Sequence, residues 1–168
     1  MRSIAIVCIA LLLGGCQTTN TQAARPYMDE AHRMEGMTAK THRKELKYYM
    51  NLAKAGPVDP VHIPWCAGWA NAVLQNTGYQ GTHSLVARSF LKWGHPTHEP
   101  QEGDIVVLKR GRSNWTGHVG FFKGYEVVDG VTYVKVLGGN TDKSVAVGYF
   151  PTNYVLAFRA PNYSPKLN

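Results

Sequence analysis

Cysteine is scarce in this chain: three in 168 residues, at positions 8, 16 and 66. Two of the three lie in or beside an apolar N-terminal run, so no disulfide framework supports the fold and a packed core has to. Acidic residues are few as well, 11 against 18 lysines and arginines, for a net charge of +7. A surface of that sign suits an anionic polymer such as cell wall, lipopolysaccharide or nucleic acid, and does not choose between them. No long apolar stretch exists beyond residues 3–13, and a bilayer-spanning helix needs about 20 such residues. Internal repeats and low-complexity tracts are missing too. The length suits one domain with a real core and is too short for two.

What is present begins at the N-terminus. Arg2, the apolar run and Leu13-Gly14-Gly15-Cys16 have the order of a signal peptide ending in small residues at a cleavage site. A cysteine directly after Leu-Gly-Gly resembles a bacterial lipobox, whose thiol is acylated and becomes the new N-terminus. An ordinary secretory signal cut near Ala23-Ala24 is the other reading. Gln17 in place of Asp resembles lipoproteins sent on to the outer membrane. The expectation is a leader over residues 1–15, a lipidated Cys16 heading a polar tether over 16–25, one domain over 26–161 and a tail over 162–168. The tether would reach at most about 30 Å, holding the domain at the membrane, on the periplasmic face of the outer membrane. Cleavage removes Arg2 and Cys8, and acylation uses Cys16, so Cys66 is left as a single thiol in an oxidising compartment. Such a thiol is a candidate nucleophile. Export also makes nucleic acid the least fitting partner, and none is expected.

From Pro26 the pattern is helical: proline at a helix start, Asp29 and Glu30 in the first turn, Met28 and Ala31 inward. Leu46, Tyr49, Met50 and Ala53 stripe a second helix over 44–55, stopped by Gly56-Pro57. A third helix over 66–76 turns Trp69, Ala70, Val73 and Leu74 to the core, and a short fourth spans 85–93 before Gly94. After Pro100 the period becomes that of strands: 105–109, 118–123, 132–137 and 154–159 are rich in Val, Phe and Tyr and punctuated by Gly and Asp. Helices first and strands second predict an α+β fold, N-terminal helices packed on an antiparallel β-sheet. The chain reads as a monomer.

Pro64-Trp65-Cys66 breaks the chain and starts the third helix, placing the thiol at the positive end of the helix dipole. That position favours thiolate and is expected to draw the pKa from about 8.5 toward neutrality. The Cys66 N–H, an orphan donor of the first turn, is available as half of an oxyanion hole. The alternative is a buried structural cysteine. A thiolate needs a base that later protonates the leaving amine, and histidine does both. His118 is best placed of the seven, on a strand start between Gly117 and Gly120. A third group should orient its ring, and Asn140 ends the next strand. A two-residue turn at Asp129-Gly130 would put Val119, not His118, opposite Asn140. A three-residue loop, Val128-Asp129-Gly130, pairs Val127 with Val131 and His118 with Asn140. The three-residue loop is the predicted one, unless a bulge elsewhere resets the register.

Five segments now stand in order: Pro64-Trp65-Cys66-Ala67, Ala87-Arg88-Ser89-Phe90 with Trp93-Gly94, Gly103-Asp104-Ile105-Val106-Val107, Gly117-His118-Val119-Gly120-Phe121 and Leu137-Gly138-Gly139-Asn140. Together they resemble CHAP-type (cysteine, histidine-dependent amidohydrolase/peptidase) domains of the papain-like superfamily, close to the phage-endolysin-like branch, over about residues 26–161. The resemblance implies cleavage of an amide bond in the peptidoglycan stem peptide through a thioester, with Cys66, His118 and Asn140 matching the cysteine, the histidine and the polar third residue. Such enzymes often carry a separate wall-binding module; none is legible here, and the lipid anchor would replace it. Thr141-Asp142 follows Asn140, which keeps Asp142 open as the orienting group.

Trp65, Asn114 and Trp115 are candidate ligand contacts, Trp115 either as a ring that stacks on a sugar or as a bare rim aromatic. His62 reads as a loop residue. His95 and His98 have an H-x-x-H spacing without a third ligand, so no metal site is expected, nor any cofactor. Trp69 and Trp93 read as core, Asp104 as a turn residue. Two rivals remain: an inactive peptidoglycan-binding or scaffold lipoprotein of the same fold, against which a retained Cys–His pair argues, and a secreted toxin or lysis protein of the same chemistry. Amidase and endopeptidase action use the same triad, so the motifs do not say which bond is cut.

Overall fold

The computed structural model describes residues 25–54 and 59–162. The expected leader, Cys16, Gln17, the tether as far as residue 24 and the tail from 163 lie outside the described residues. Three helices come first: α1 (Pro26–Arg33), α2 (Arg43–Leu52) and α3 (Cys66–Asn76). A 3-10 helix over Ala87–Lys92 precedes six strands: β1 (His95–Thr97), β2 (Ile105–Lys109), β3 (Gly117–Val128), β4 (Val131–Thr141), β5 (Ser144–Pro151) and β6 (Val155–Ala160). The sheet runs β1-β6-β2-β3-β4-β5 with every neighbour antiparallel. This is the α+β arrangement expected. Two strands lie outside the expected set: β1 is three residues with a central proline, tolerable only at an edge, and β5 is broken in pattern by Gly148.

Every residue of α3 from Cys66 to Leu74 is buried, as in a helix enclosed on all sides. Its neighbours are α1, α2, β3 and β4. The helix side of the core joins Trp69 edge-on to Phe121, ring centroids 5.4 Å apart, and Tyr27 stacked on Phe121 at 5.3 Å. Each such buried side chain is worth about 1.5–3 kcal/mol. A smaller core covers the other face of the sheet, where Val106, Leu108, Phe122, Val134 and Val136 meet Phe150, Val155 and Phe158.

The β3–β4 ribbon corrects the predicted loop. Asp129 and Gly130 both have positive φ, 49° and 76°, and Val128 faces Val131, a two-residue turn of the type that matches strand twist. A bulge then supplies the residue that the turn does not: Gly124 faces Lys135 and Phe122 faces Val136, with Lys123 unpaired. Beyond it Phe121 faces Leu137, the register a three-residue loop would have produced. There the ladder between β3 and β4 ends. β4 continues against β5, with a further one-residue shift between Gly138 and Thr141.

Candidate active site

Cys66 is the first residue of α3 and a free thiol. The backbone N–H groups of Val119 and Ala67, and its own N–H, act on the sulfur in the direction that favours thiolate. Val119 is free to do so because the ladder has ended. The Phe122 N–H bonds Asp104 O across to β2, so by alternation the Val119 N–H faces the β4 edge. The sulfur lies in a residue only 3 % exposed, and burial pushes the thiol up despite those donors and the charge of Arg110. This corrects the expected drop toward neutrality: removing a thiolate from water outweighs the helix end.

His118, second in β3, alternates with Val119 and Phe121 and so shares the face of Leu108 and Phe150. Its ring lies 5.3 Å from that of Phe150. It is 7 % exposed, and burial lowers its pKa to about 4, with Arg110 adding to the shift. Two glycines make room on both sides of β4. A Cβ at Gly138 would stand 2.8 Å from His118 Nε2, and one at Gly139 would stand 2.6 Å from Trp69 Cβ and 2.8 Å from Trp65 Cζ3. Thiol and imidazole therefore reach the start of β3 from its two faces. Among the described residues no hydrogen bond joins the two side chains.

The register aims Asn140 at His118, yet Thr141 stands there. Asn140 is left-handed, φ 59°, at the one-residue shift in β4, a conformation asparagine tolerates. The extra residue turns Thr141 onto the face of Gly138, where its Oγ1 lies 3.5 Å from His118 Nε2. Asp142 is exposed in the following turn.

Three hollows surround this point. One of about 450 Å³ is lined by Cys66, Pro64, Leu85, Trp115 and Arg110. A second, about 340 Å³, is lined by His118, Thr141, Tyr154 and again Arg110. The third, about 840 Å³, shares Asn140 and Asp142 with the second and Ile63 and Pro64 with the first, and also takes in His62. Trp115, 75 % exposed, is thus at the rim. Trp65, expected to contact ligand, is fully buried beneath Gly139 and presents no surface. Asn114 is exposed and lines none of the three. Asp104 is a turn residue as read, accepting from the Gln101 N–H and paired with Arg25 at 2.8 Å.

Sequence reasoning passes over Asn71, Arg110 and Thr141. Asn71 is 1 % exposed. It accepts from the N–H groups of Thr82 (2.6 Å) and His83 (3.1 Å) and donates to Ala67 O and Ser84 O, both at 2.9 Å. It thereby ties α3 to the loop that carries Leu85, a wall of the Cys66 hollow. A polar residue within an apolar helix was the available signal.

A family model described as the CHAP domain matches residues 58–140. No curated protein and no solved structure matches the chain.

Proposed function

Residues 58–140 form a CHAP domain, papain-like in fold, and from that premise we propose that the chain is a cysteine-dependent hydrolase cutting an amide bond of the peptidoglycan stem peptide. CHAP domains are typically cysteine, histidine-dependent amidohydrolases or peptidases. The observation that carries the reading is a free thiol opening α3 and sharing a hollow with Gly117, the first residue of β3, while His118 lines the next hollow and Arg110 lines both.

The protons at rest shape the mechanism. Burial keeps the sulfur protonated and the imidazole neutral, so His118 acts as general base during the attack rather than as half of a preformed ion pair. With Nε2 turned to Thr141, this reading requires Nδ1 to take the thiol proton across the start of β3, where the two side chains are not hydrogen-bonded at rest. The sulfur adds to the amide carbonyl, and the Cys66 N–H stabilises the oxyanion. His118 then returns the proton to the leaving amine, and water activated by the same imidazole hydrolyses the thioester. Thr141 orients the ring and Asn140 lies on the substrate rim. We place the domain on a lipid anchor at Cys16, facing the periplasm; palmitate labelling that Cys16→Ala abolishes is the expected sign, and labelling that survives it contradicts the anchor.

Digestion of purified sacculi, wild type beside Cys66→Ala, tests the activity. Soluble fragments with new amine termini and no new reducing sugars are expected from the wild type alone. The low exposure of Cys66 and His118 also suits a scaffold that has kept the fold. Equal clearing by both proteins, or clearing by neither, would decide against the enzyme.

A further inference from the structure

Arg110 follows β2 directly and lines both the Cys66 hollow and the His118 hollow. Its main chain is fixed, since Thr116 Oγ1 donates to Arg110 O at 2.6 Å. Its guanidinium is exposed and, among the described residues, has no hydrogen bond or ion pair. Two cations lining the adjoining hollows are already engaged. Lys109 Nζ sits 5.0 Å from the centre of the Tyr154 ring, and Arg43, in the third hollow, is paired with Asp59. An arginine left unpaired at the junction of two hollows is a planar donor suited to a carboxylate, which it can grip through two parallel bonds. The stem peptide carries such groups, notably the α-carboxylate of its γ-linked D-glutamate.

We propose that Arg110 is the specificity-determining residue of this site, binding a free carboxylate of the stem peptide beside the scissile amide. The assignment rests on the peptidoglycan-hydrolase reading above and deepens it by selecting the acidic over the amidated stem. The same charge acts on both reacting groups, favouring thiolate at Cys66 and opposing protonation of His118. A bound carboxylate would offset that charge and let the imidazole accept the thiol proton more readily.

The test uses muropeptides whose D-glutamate α-carboxyl is either free or amidated. Wild type is expected to show a KM about tenfold lower for the free acid. Arg110→Gln should raise that KM about tenfold and erase the preference for the free acid, with any change in kcat from the lost charge falling on both peptides alike, while Arg110→Lys restores part of the preference. Calorimetry on the Cys66→Ala protein reads the same discrimination without turnover. Cleavage by wild type with no preference, or a preference in KM that Arg110→Gln leaves intact, overturns the Arg110 assignment alone. Absence of cleavage with discrimination intact overturns the hydrolase reading and leaves the carboxylate site standing.

Discussion

The wall that carries Cys66 and the wall that carries His118 are built on opposite plans. Cys66 opens a regular helix, buried through to Leu74 and tied to its loop by Asn71. His118 stands where regularity fails: β3 has parted from β4 past Phe121–Leu137, and β4 is displaced by a left-handed Asn140. Burial acts on both walls with opposite chemical results, holding the proton on the sulfur and keeping it off the imidazole. In a dry cleft, isolated charges are costly. The two groups therefore rest uncharged, which in the proposed mechanism couples proton transfer to bond formation.

Breaking the helix wall should cost the most stability. Asn71→Leu leaves two N–H groups and two carbonyls without their partner, a loss of about 4 kcal/mol, read by denaturant unfolding. The strand wall should reveal itself through pH. Between about pH 4 and 6.5 only the unfolded chain protonates the residue-118 imidazole. Stability should thus fall by about 3 kcal/mol as the pH drops through that window, and His118→Asn should lack that component. Since the base must be neutral, the acid limb of kcat/KM should lie near pH 4 and not near 6.5.

Two smaller changes sharpen the contrast by touching only the strand wall. Gly138→Ala drives a methyl against His118 Nε2 and should lower kcat about 10²-fold by displacing the ring, with the unfolding midpoint little changed. Thr141→Val removes one long hydrogen bond and should lower kcat only about threefold to tenfold, with Thr141→Ser close to wild type. Equal effects of Thr141→Val and Asn140→Ala would erase the distinction between these neighbours.

The helix wall is legible in the sequence to the residue, because a proline-tryptophan break, an apolar stripe and a terminal glycine are local signals. The thiol's protonation is not, since it depends on enclosure by β3 and β4, which a helix-end argument omits. The strand wall is legible only as far as His118. Its register comes out as expected by a different route, a two-residue turn offset by the Lys123 bulge. The second irregularity, at Asn140, leaves no trace in the period and moves Thr141 into the place that alternation reserves for Asn140. Trp65 looks like a rim aromatic beside a nucleophile, and only packing against Gly139 shows it enclosed. The glycine pair at 138 and 139 reads as a strand end; in three dimensions it admits a ring on one face and a helix on the other.

Acid quenching during turnover of muropeptides, followed by intact-mass measurement and peptide mapping, tests the central claim most directly. A stem-peptide fragment is expected on the peptide containing Cys66, labile to hydroxylamine as a thioester is, and missing from Cys66→Ala together with all cleavage. Undiminished cleavage by Cys66→Ala, or an adduct mapped to another side chain, would contradict it.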